Sequence, residues 1–442
     1  MDQPDHRRHR PFRARPRAGG AERSERSENA MSEQTFIIVG ASLTGAKAAE
    51  ELRERGFDGR VVLLGSEAER PYERPPLTKD YLRGESPREK AYVHEDGFYA
   101  EHDIELETGT TVASVDPDAS RVILDDGRVL RFDRLLLATG AEPRRIPVAG
   151  ADLDGIHYLR TLADCDVLRE RLDAGGRVVV VGAGWIGSEF AASARQRGLD
   201  VTIVDPLTLP NERIFGTEIG AFYRDLHAGH GVELALGEGV ESFEGNGAVA
   251  GVRTSAGRAI ECDFAVVGIG VVPRVELAQD AGLTIDNGVI VNERLQTSAP
   301  NVFAAGDVAR AWHPFYGERI RVEHWANALN QGPVAAQAML GEPASYGRIP
   351  YFYSDQYDAG MEYSGHAPEW DEVVFRGDRG AGEFVAFWLR GGRVVAGMNV
   401  NVWDVNEQVQ ALIRTGRPVD VGALSDPDTP LESLVGELTI PS

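Results

Sequence analysis

The sequence predicts an α/β protein in which two similar strand–turn–helix units precede a C-terminal α+β domain. The first observation is a repeated plan, since a β-branched strand, a glycine-rich turn and a helical pattern occur in FIIVGASLTGAKAAEELRERG (36–56) and RVVVVGAGWIGSEFAASARQRG (177–198). The second is a change of pattern near the end: DEVVFRG and EFVAFWLRGGRVVAGMNV read as strands with a hairpin at Gly391–Gly392, and DVNEQVQALIRTG reads as a helix. Asp404 and Glu407 are expected to cap that helix, and Gly416 to end it.

Each glycine-rich turn has the spacing of a dinucleotide-binding site. The motifs are Gly40-x-Ser42-x-x-Gly45, which contains Leu43 and Thr44, and Gly182-x-Gly184-x-x-Gly187, which contains Ile186. The first glycine makes a tight turn, the second lets the backbone approach a pyrophosphate, and the third lets helix and strand pack closely. Free N–H groups at the helix N-terminus then hold the phosphates. Two copies predict two Rossmann-like domains, each with three layers in the order sheet, sheet, helices (ββα).

Each unit is followed by an acid at the spacing expected for a ribose ligand. Asp205 ends the strand VTIVD, 23 residues after Gly182, and Glu67 follows VVLLG, 27 residues after Gly40. A carboxylate accepts hydrogen bonds from a ribose 2′-OH and repels a 2′-phosphate. Asp205 therefore predicts NADH rather than NADPH as the coenzyme.

Further turns assign FAD to the first unit. VFAAGDVA (302–309) is a strand followed by Gly306-Asp307, where the acid of two-dinucleotide flavoproteins meets the ribityl and phosphate end of FAD. LLLATGAEPR (135–144) is its companion, a buried strand with a turn at Thr139-Gly140 that closes over the flavin nucleotide. In CDFAVVGIGVVP (262–273), Gly268 and Gly270 would let the backbone approach the nicotinamide.

Composition excludes several classes of protein. The chain has 442 residues and a net charge of −23, which argues against a nucleic-acid partner, and no apolar run is long enough to span a membrane. The two cysteines, Cys165 and Cys262, form no CxxC or CxxxxC pair, so a disulfide framework, a structural zinc site and a dithiol motif are not expected. Residues 1–33 are predicted to be a disordered arginine-rich extension, because they contain almost no bulky apolar side chains.

With these motifs in place, residues 34–442 resemble the FAD-dependent pyridine nucleotide oxidoreductases. Within them the chain is similar to the ferredoxin reductases that serve aromatic-ring dioxygenases and haem-thiolate monooxygenases. The segments that carry the resemblance are ERPPLTKDYL (73–82), GWIGSE (184–189), VEHWANALNQG (322–332) and FYSDQYD (352–358). Disulfide reductases place a CxxxxC near the first segment, and NADH peroxidases a single cysteine, but this chain has Lys79 there. Lys79 implies that electrons leave the flavin without a protein thiol.

The resemblance also implies the roles of individual residues. Lys79 would lie beside flavin N5, paired with Glu189 in the first turn of the second helix. The segment that contains Glu323 and Trp325 would begin a helix whose N-terminus faces the pyrimidine end of the flavin, where negative charge collects on reduction. Arg74 and Arg144 would contact FAD, and Arg213 matches an arginine of the NADH site. Leu209 stands where relatives often carry another arginine, a departure from the family pattern at the NADH site.

These assignments give a domain plan and a function. The FAD domain would be discontinuous, 34–147 and 264–330, around an NAD(H) domain at 148–263, with a C-terminal reductase domain at 331–442. The expected protein is cytoplasmic, a monomer or weak homodimer without a metal site, and passes electrons from NADH through FAD to a two-iron two-sulfur ferredoxin. Two alternatives remain: an NADH oxidase or a reductase of quinone or another small acceptor, and a redox switch of the apoptosis-inducing-factor type.

Overall fold

The first glycine-rich unit belongs to a parallel five-stranded sheet in the computed structural model, which describes residues 34–436. In spatial order its strands are Val302–Ala304, Arg134–Leu137, Thr35–Val39, Arg60–Leu64 and Ile104–Glu107. The helix Leu43–Glu54 follows the glycine turn, and a three-stranded antiparallel sheet (Val112–Asp116, Arg121–Leu124, Val129–Arg131) shares the core of this unit. The predicted extension 1–33 lies outside the described residues.

The second unit repeats this architecture. Its parallel sheet has the spatial order Glu233–Leu236, Asp200–Asp205, Arg177–Val181, Phe264–Val267 and Ile156–His157. Because side chains of a strand alternate between faces, Val178 and Val180 join the core formed with the helices, whereas Val179 and Val181 join the core formed with the antiparallel sheet Val240–Asn246, Ala248–Thr254 and Ala259–Glu261. This alternation produces the three predicted layers.

Helices complete these two units. The longer ones are Leu162–Ala174, Trp185–Gln196, Thr217–Gly229 and Trp325–Met339, and short helical turns occupy Pro75–Thr78, Asp80–Arg83, Arg88–Ala91, Phe98–Glu101, Glu212–Phe215, Glu276–Asp280 and Gly306–Val308. A capping box starts Leu162–Ala174, since Thr161 and Asp164 each bond the other's backbone N–H. Two short antiparallel strands, Ala141–Pro143 and Val271–Pro273, connect the units, and a small sheet contains Val289–Val291, Ala309–His313 and Glu318–Ile320.

The C-terminal domain is an antiparallel five-stranded sheet with helices. The spatial order is Tyr351–Gln356, Ala359–Gly365, Arg393–Val400, Glu383–Arg390 and Glu372–Asp378, and the helices are Asn406–Thr415, Val421–Ser425 and Leu431–Val435. The hairpin at Gly391–Gly392 forms as predicted, and Gly416 ends the first helix with a φ of +57°. The expected capping by Asp404 and Glu407 is wrong, because Val405 occupies the N-cap position and no side-chain capping hydrogen bond forms among the described residues.

One predicted domain boundary falls directly before a strand, and another falls inside a helix. The boundary at 263/264 would detach Phe264–Val267, which pairs in parallel with Arg177–Val181 in the second sheet. The boundary at 330/331 would divide the continuous helix Trp325–Met339. The chain leaves the second unit only after Val267, and the C-terminal sheet begins at Tyr351. The predicted class, two dinucleotide-binding α/β domains with a C-terminal α+β domain, is confirmed.

Candidate active site

A cavity of about 430 Å³ lies at the carboxyl ends of the strands of the first sheet. Fifteen of the residues singled out in the sequence line it: Gly40, Ser42, Leu43, Thr44, Glu67, Arg74, Lys79, Thr139, Gly140, Ile186, Glu189, Gly306, Asp307, Glu323 and Trp325. They come from both α/β units, and Phe352 and Tyr353 of the C-terminal sheet also contribute. The cavity is therefore built where all three parts of the chain meet.

The first glycine turn has the geometry of a phosphate cradle. Gly40 has a φ of +121°, and a Cβ there would lie 2.1 Å from the carbonyl oxygen of Ala138. A Cβ on Gly45 would lie 2.1 Å from the Gly40 carbonyl oxygen, so the helix packs directly on the turn. Ser42 is the N-cap of that helix and makes no side-chain capping bond, which leaves first-turn N–H groups for a ligand. The cradle fits a dinucleotide pyrophosphate.

Arginine–acid pairs line another part of the cavity. Arg160 Nη2 is 2.8 Å from Asp307 Oδ2, and Arg74 Nη2 is 3.3 Å from Glu67 Oε1. Tyr72 also donates its hydroxyl to Glu67. Arg160 was missed in the sequence, because it follows a two-residue strand and belongs to no motif. Its buried Nε has no hydrogen-bond partner among the described residues, as expected of a group that binds a polar ligand.

Lys79 and Glu189 form a buried ion pair on the cavity. Lys79 Nζ lies 2.5 Å from Glu189 Oε2, and the two side chains are 11% and 8% exposed. Thr78 donates to the same carboxylate oxygen at 2.5 Å, and Ser354 donates to Oε1 at 2.7 Å. The Lys79 ammonium also lies 5.5 Å from the centroid of the Tyr353 ring, within the range of a cation–π contact. The pair predicted from the resemblance is thus present and fixed on several sides.

The helix that begins at Trp325 presents unpartnered polar atoms to the cavity. Within residues 34–436, Trp325 Nε1 and His324 Nδ1 are buried without a hydrogen-bond partner, although both residues line the cavity. Burial lowers the pKa of His324 to about 4, so its imidazole is neutral at pH 7. Because buried polar atoms are rarely left unsatisfied, these groups also fit a polar cofactor.

The second glycine turn has the same close packing but lies outside this cavity. A Cβ on Gly182 would lie 2.4 Å from the Gly268 carbonyl oxygen, and one on Gly187 would lie 2.0 Å from that of Gly182. A Cβ on Gly184, the N-cap of the second helix, would lie 4.0 Å from the Gly268 carbonyl oxygen, an ordinary contact. Asp205 accepts from the backbone N–H of Ala183 at 2.6 Å, so the acid sits directly against the turn.

Apart from Gly45, Gly268, Asp205 and the glycines of the second turn, three predicted residues do not line the cavity. Arg144 is exposed and does not line the cavity, and its backbone N–H bonds the carbonyl of Gly270 where the two connecting strands pair. Arg274 lines the cavity instead. Gly270 has open space around it, and Arg213 is exposed on the turn Glu212–Phe215.

The two thiols are buried away from the cavity lining. Burial raises the pKa of Cys165 to about 12 and that of Cys262 to about 11, which keeps both protonated at pH 7. Although Cys165 is remote from Lys79 in sequence, its Sγ lies 3.4 Å from the carbonyl oxygen of Leu77. It nevertheless packs in the core formed by Leu77 and the helix Leu162–Ala174.

No helix in the described part of the chain is both long and apolar enough to cross a membrane.

Comparison with known proteins identifies the family. The pyridine nucleotide-disulphide oxidoreductase profile matches residues 34–332, and the reductase C-terminal profile matches residues 351–435. The anthranilate 1,2-dioxygenase system ferredoxin–NAD(+) reductase component of Burkholderia cepacia is 39% identical over 412 residues, which cover 92% of this chain and 100% of that protein. Putidaredoxin reductase of Pseudomonas putida is 37% identical over 405 residues, 90% of this chain and 96% of that protein.

A solved structure agrees with these sequence relatives. The covalent putidaredoxin reductase–putidaredoxin complex superposes with a TM-score of 0.88 at 37% identity, covering 91% of this chain and 98% of the matched chain. The chain belongs to the pyridine nucleotide-disulphide oxidoreductase family, as an FAD- and NAD(H)-dependent flavoprotein oxidoreductase.

Proposed function

We propose that this protein takes electrons from NADH and delivers them one at a time to a two-iron two-sulfur ferredoxin. The ferredoxin would then feed a haem-thiolate monooxygenase or a ring-hydroxylating dioxygenase. The observation that carries the proposal is the buried Lys79–Glu189 pair on a cavity that, within residues 34–436, is lined by no cysteine. When bound, FAD accepts two electrons as a hydride and releases them singly, so it joins a two-electron donor to a one-electron acceptor.

The lining residues have distinct parts in holding FAD. The first glycine turn, Gly40 to Gly45, would hold the pyrophosphate through backbone N–H groups. Asp307, fixed by Arg160, and Glu67 would bind hydroxyl groups of the ribityl and ribose parts. Lys79 and the N-terminus of the helix at Trp325 would place positive charge beside the ring, which would stabilise the electron-rich reduced form.

The second unit would bind NADH. Its glycine turn, Gly182 to Gly187, repeats the geometry of the first, and Asp205 stands against it where a ribose 2′-OH would be recognised. Ile186 and Glu189, in the first turns of the helix Trp185–Gln196, also line the cavity described above, so this helix connects the two sites. Gly268 would let the backbone lie close to the nicotinamide.

The acceptor assignment is supported by the relatives, whose names describe ferredoxin reductase components, and by the matched reductase–putidaredoxin complex. The strongly acidic chain requires a local basic patch for docking rather than overall attraction. We propose a monomer or weak homodimer, and place the reaction in the cytoplasm because NADH is available there.

The proposal is tested by steady-state turnover with NADH under nitrogen and under air. A two-iron two-sulfur ferredoxin should be reduced with a kcat at least tenfold above that for O₂ or a quinone. Turnover with a small acceptor that exceeds turnover with ferredoxin would support the oxidase or quinone reductase alternative instead. Reduction by NADH followed by slow transfer to every acceptor would support a redox switch.

A further inference from the structure

A continuous row of buried polar side chains leads from the second α/β unit to the Lys79–Glu189 pair. His227 Nε2 lies 3.0 Å from Gln356 Oε1, and Gln356 Nε2 lies 3.2 Å from Ser354 Oγ. Ser354 Oγ in turn lies 2.7 Å from Glu189 Oε1, and Glu189 Oε2 contacts Lys79. We call His227, Gln356 and Ser354 the buried array.

The fold brings these residues together across domain borders. In the strand Tyr351–Gln356, side chains alternate, so Ser354 and Gln356 share the buried face with Phe352. His227 comes from the helix Thr217–Gly229 and Glu189 from the helix Trp185–Gln196. Burying polar groups is unfavourable unless they are hydrogen-bonded. The array satisfies this requirement while it connects the C-terminal sheet to the second unit.

The charge on Glu189 determines the direction of every bond in the array. A carboxylate paired with lysine can only accept, so Ser354 must donate its hydroxyl hydrogen to Glu189. The oxygen of Ser354 therefore accepts from the Gln356 amide, and the amide carbonyl must accept from His227 Nε2–H. Burial lowers the pKa of His227 to about 4, so the ring is neutral and its Nδ1 accepts from the Tyr357 hydroxyl at 3.2 Å. All these donors point toward the carboxylate.

The composition of the array favours positioning over proton transfer. Gln356 lies between His227 and Ser354, and its side-chain amide neither gains nor loses a proton at neutral pH. In the described part of the chain, Glu189 Oε1 receives its hydrogen bond from Ser354, whereas Oε2 is held by Lys79 and Thr78. Ser354 therefore fixes the rotation of the Glu189 carboxylate about the Cγ–Cδ bond.

We propose that Ser354, supported by Gln356 and His227, is a positioning residue that orients Glu189 and thereby sets the charge that Lys79 presents to FAD. The inference rests on the proposed placement of the FAD ring beside Lys79. Removing the Ser354 hydroxyl takes a hydrogen-bond donor from a buried carboxylate, so less of the negative charge of Glu189 is compensated. The cavity becomes more negative at the ring, and reduced FAD becomes less stable.

The experiment compares Ser354→Ala with Ser364→Ala. Ser364 is a matched control because it is equally buried in the neighbouring strand, accepts from the Gln410 amide and donates to Asn406, but lies outside the array. The FAD midpoint potential is measured by equilibration with a two-electron reference dye. Ser354→Ala should shift that equilibrium about fivefold toward oxidised FAD, or about 20 mV, and weaken the long-wavelength charge-transfer band with NAD⁺. Ser364→Ala should leave both unchanged.

A second variant keeps the test decisive if Ser354→Ala does not retain FAD. Gln356→Met preserves volume but cannot support the Ser354 hydroxyl, and should shift the equilibrium about twofold in the same direction. Wild-type potentials in the array variants, or an equal shift in Ser364→Ala, would overturn the proposal. Lys79→Met tests the placement of FAD separately from the role of Ser354. If Lys79→Met leaves the midpoint potential unchanged, FAD does not lie beside Lys79. Ferredoxin is absent from these measurements, so their outcome is independent of the acceptor.

Discussion

Replacing Lys79 by methionine removes the cation of the buried ion pair while keeping most of its volume. The carboxylate of Glu189 is then left 8% exposed, with Thr78 and Ser354 as its remaining donors. Breaking a buried pair by deleting one partner costs about 3–5 kcal/mol. Because two hydroxyl donors remain, we expect the lower end, a loss of about 3 kcal/mol in the free energy of unfolding.

The assay is urea unfolding of apoprotein, followed by circular dichroism, for Lys79→Met, Glu189→Gln and the double variant. The double variant has no uncompensated charge and should be more stable than Lys79→Met alone by about 1–2 kcal/mol. Lys90→Met is the matched control, since Lys90 is exposed, and should change stability by less than about 0.5 kcal/mol. If the losses of the two single variants simply add in the double variant, the buried pair is not coupled and the reasoning is refuted.

Three further predictions concern the two nucleotide sites and pH. Gly45→Ala should abolish FAD retention, measured by the flavin absorbance of purified protein, whereas Gly187→Ala should retain FAD and raise the KM for NADH at least tenfold. In each variant the new methyl group would meet a backbone carbonyl oxygen at about 2 Å. Equal loss of FAD in both variants would contradict separate sites. Asp205→Asn should lower the NADH over NADPH ratio of kcat/KM by about tenfold or more, since a hydrogen bond to a charged group is worth about 1.5–3 kcal/mol; an unchanged ratio would argue against a ribose contact. Thermal stability should fall from pH 6.5 to 4, because native His227, with a pKa of about 4, stays neutral while the unfolded residue takes up a proton. His227→Phe should flatten this slope by up to one proton, and an unchanged slope would show that His227 titrates alike in both states.

Local patterns were sufficient to predict the framework of the site. Gly40, Gly45, Gly182 and Gly187 could be found because tight turns and close packing require glycine at fixed spacing, and the structure shows a carbonyl oxygen at each position where a Cβ would stand. The Lys79–Glu189 pair came from the family resemblance, since 110 residues separate them and no local rule joins them.

Contacts made only by tertiary packing were beyond the sequence. Ser354 reaches Glu189 across 165 residues, and Arg160 reaches Asp307 across 147. Such pairs depend on how the sheets dock, which strand and helix patterns do not specify. The predicted boundary at 330/331 stands within the helix Trp325–Met339, which continues through Pro333.

The central claim, transfer from NADH through FAD to ferredoxin, is tested most directly by sequential-mixing stopped flow. Anaerobic protein is first mixed with one equivalent of NADH, and bleaching of the flavin absorbance is recorded. It is then mixed with oxidised two-iron two-sulfur ferredoxin or with air-saturated buffer. We expect rapid flavin reoxidation and the appearance of reduced ferredoxin when the second solution contains ferredoxin. With air-saturated buffer as the second solution, reoxidation should be at least tenfold slower. Fast reoxidation by O₂ with ferredoxin left oxidised would contradict it.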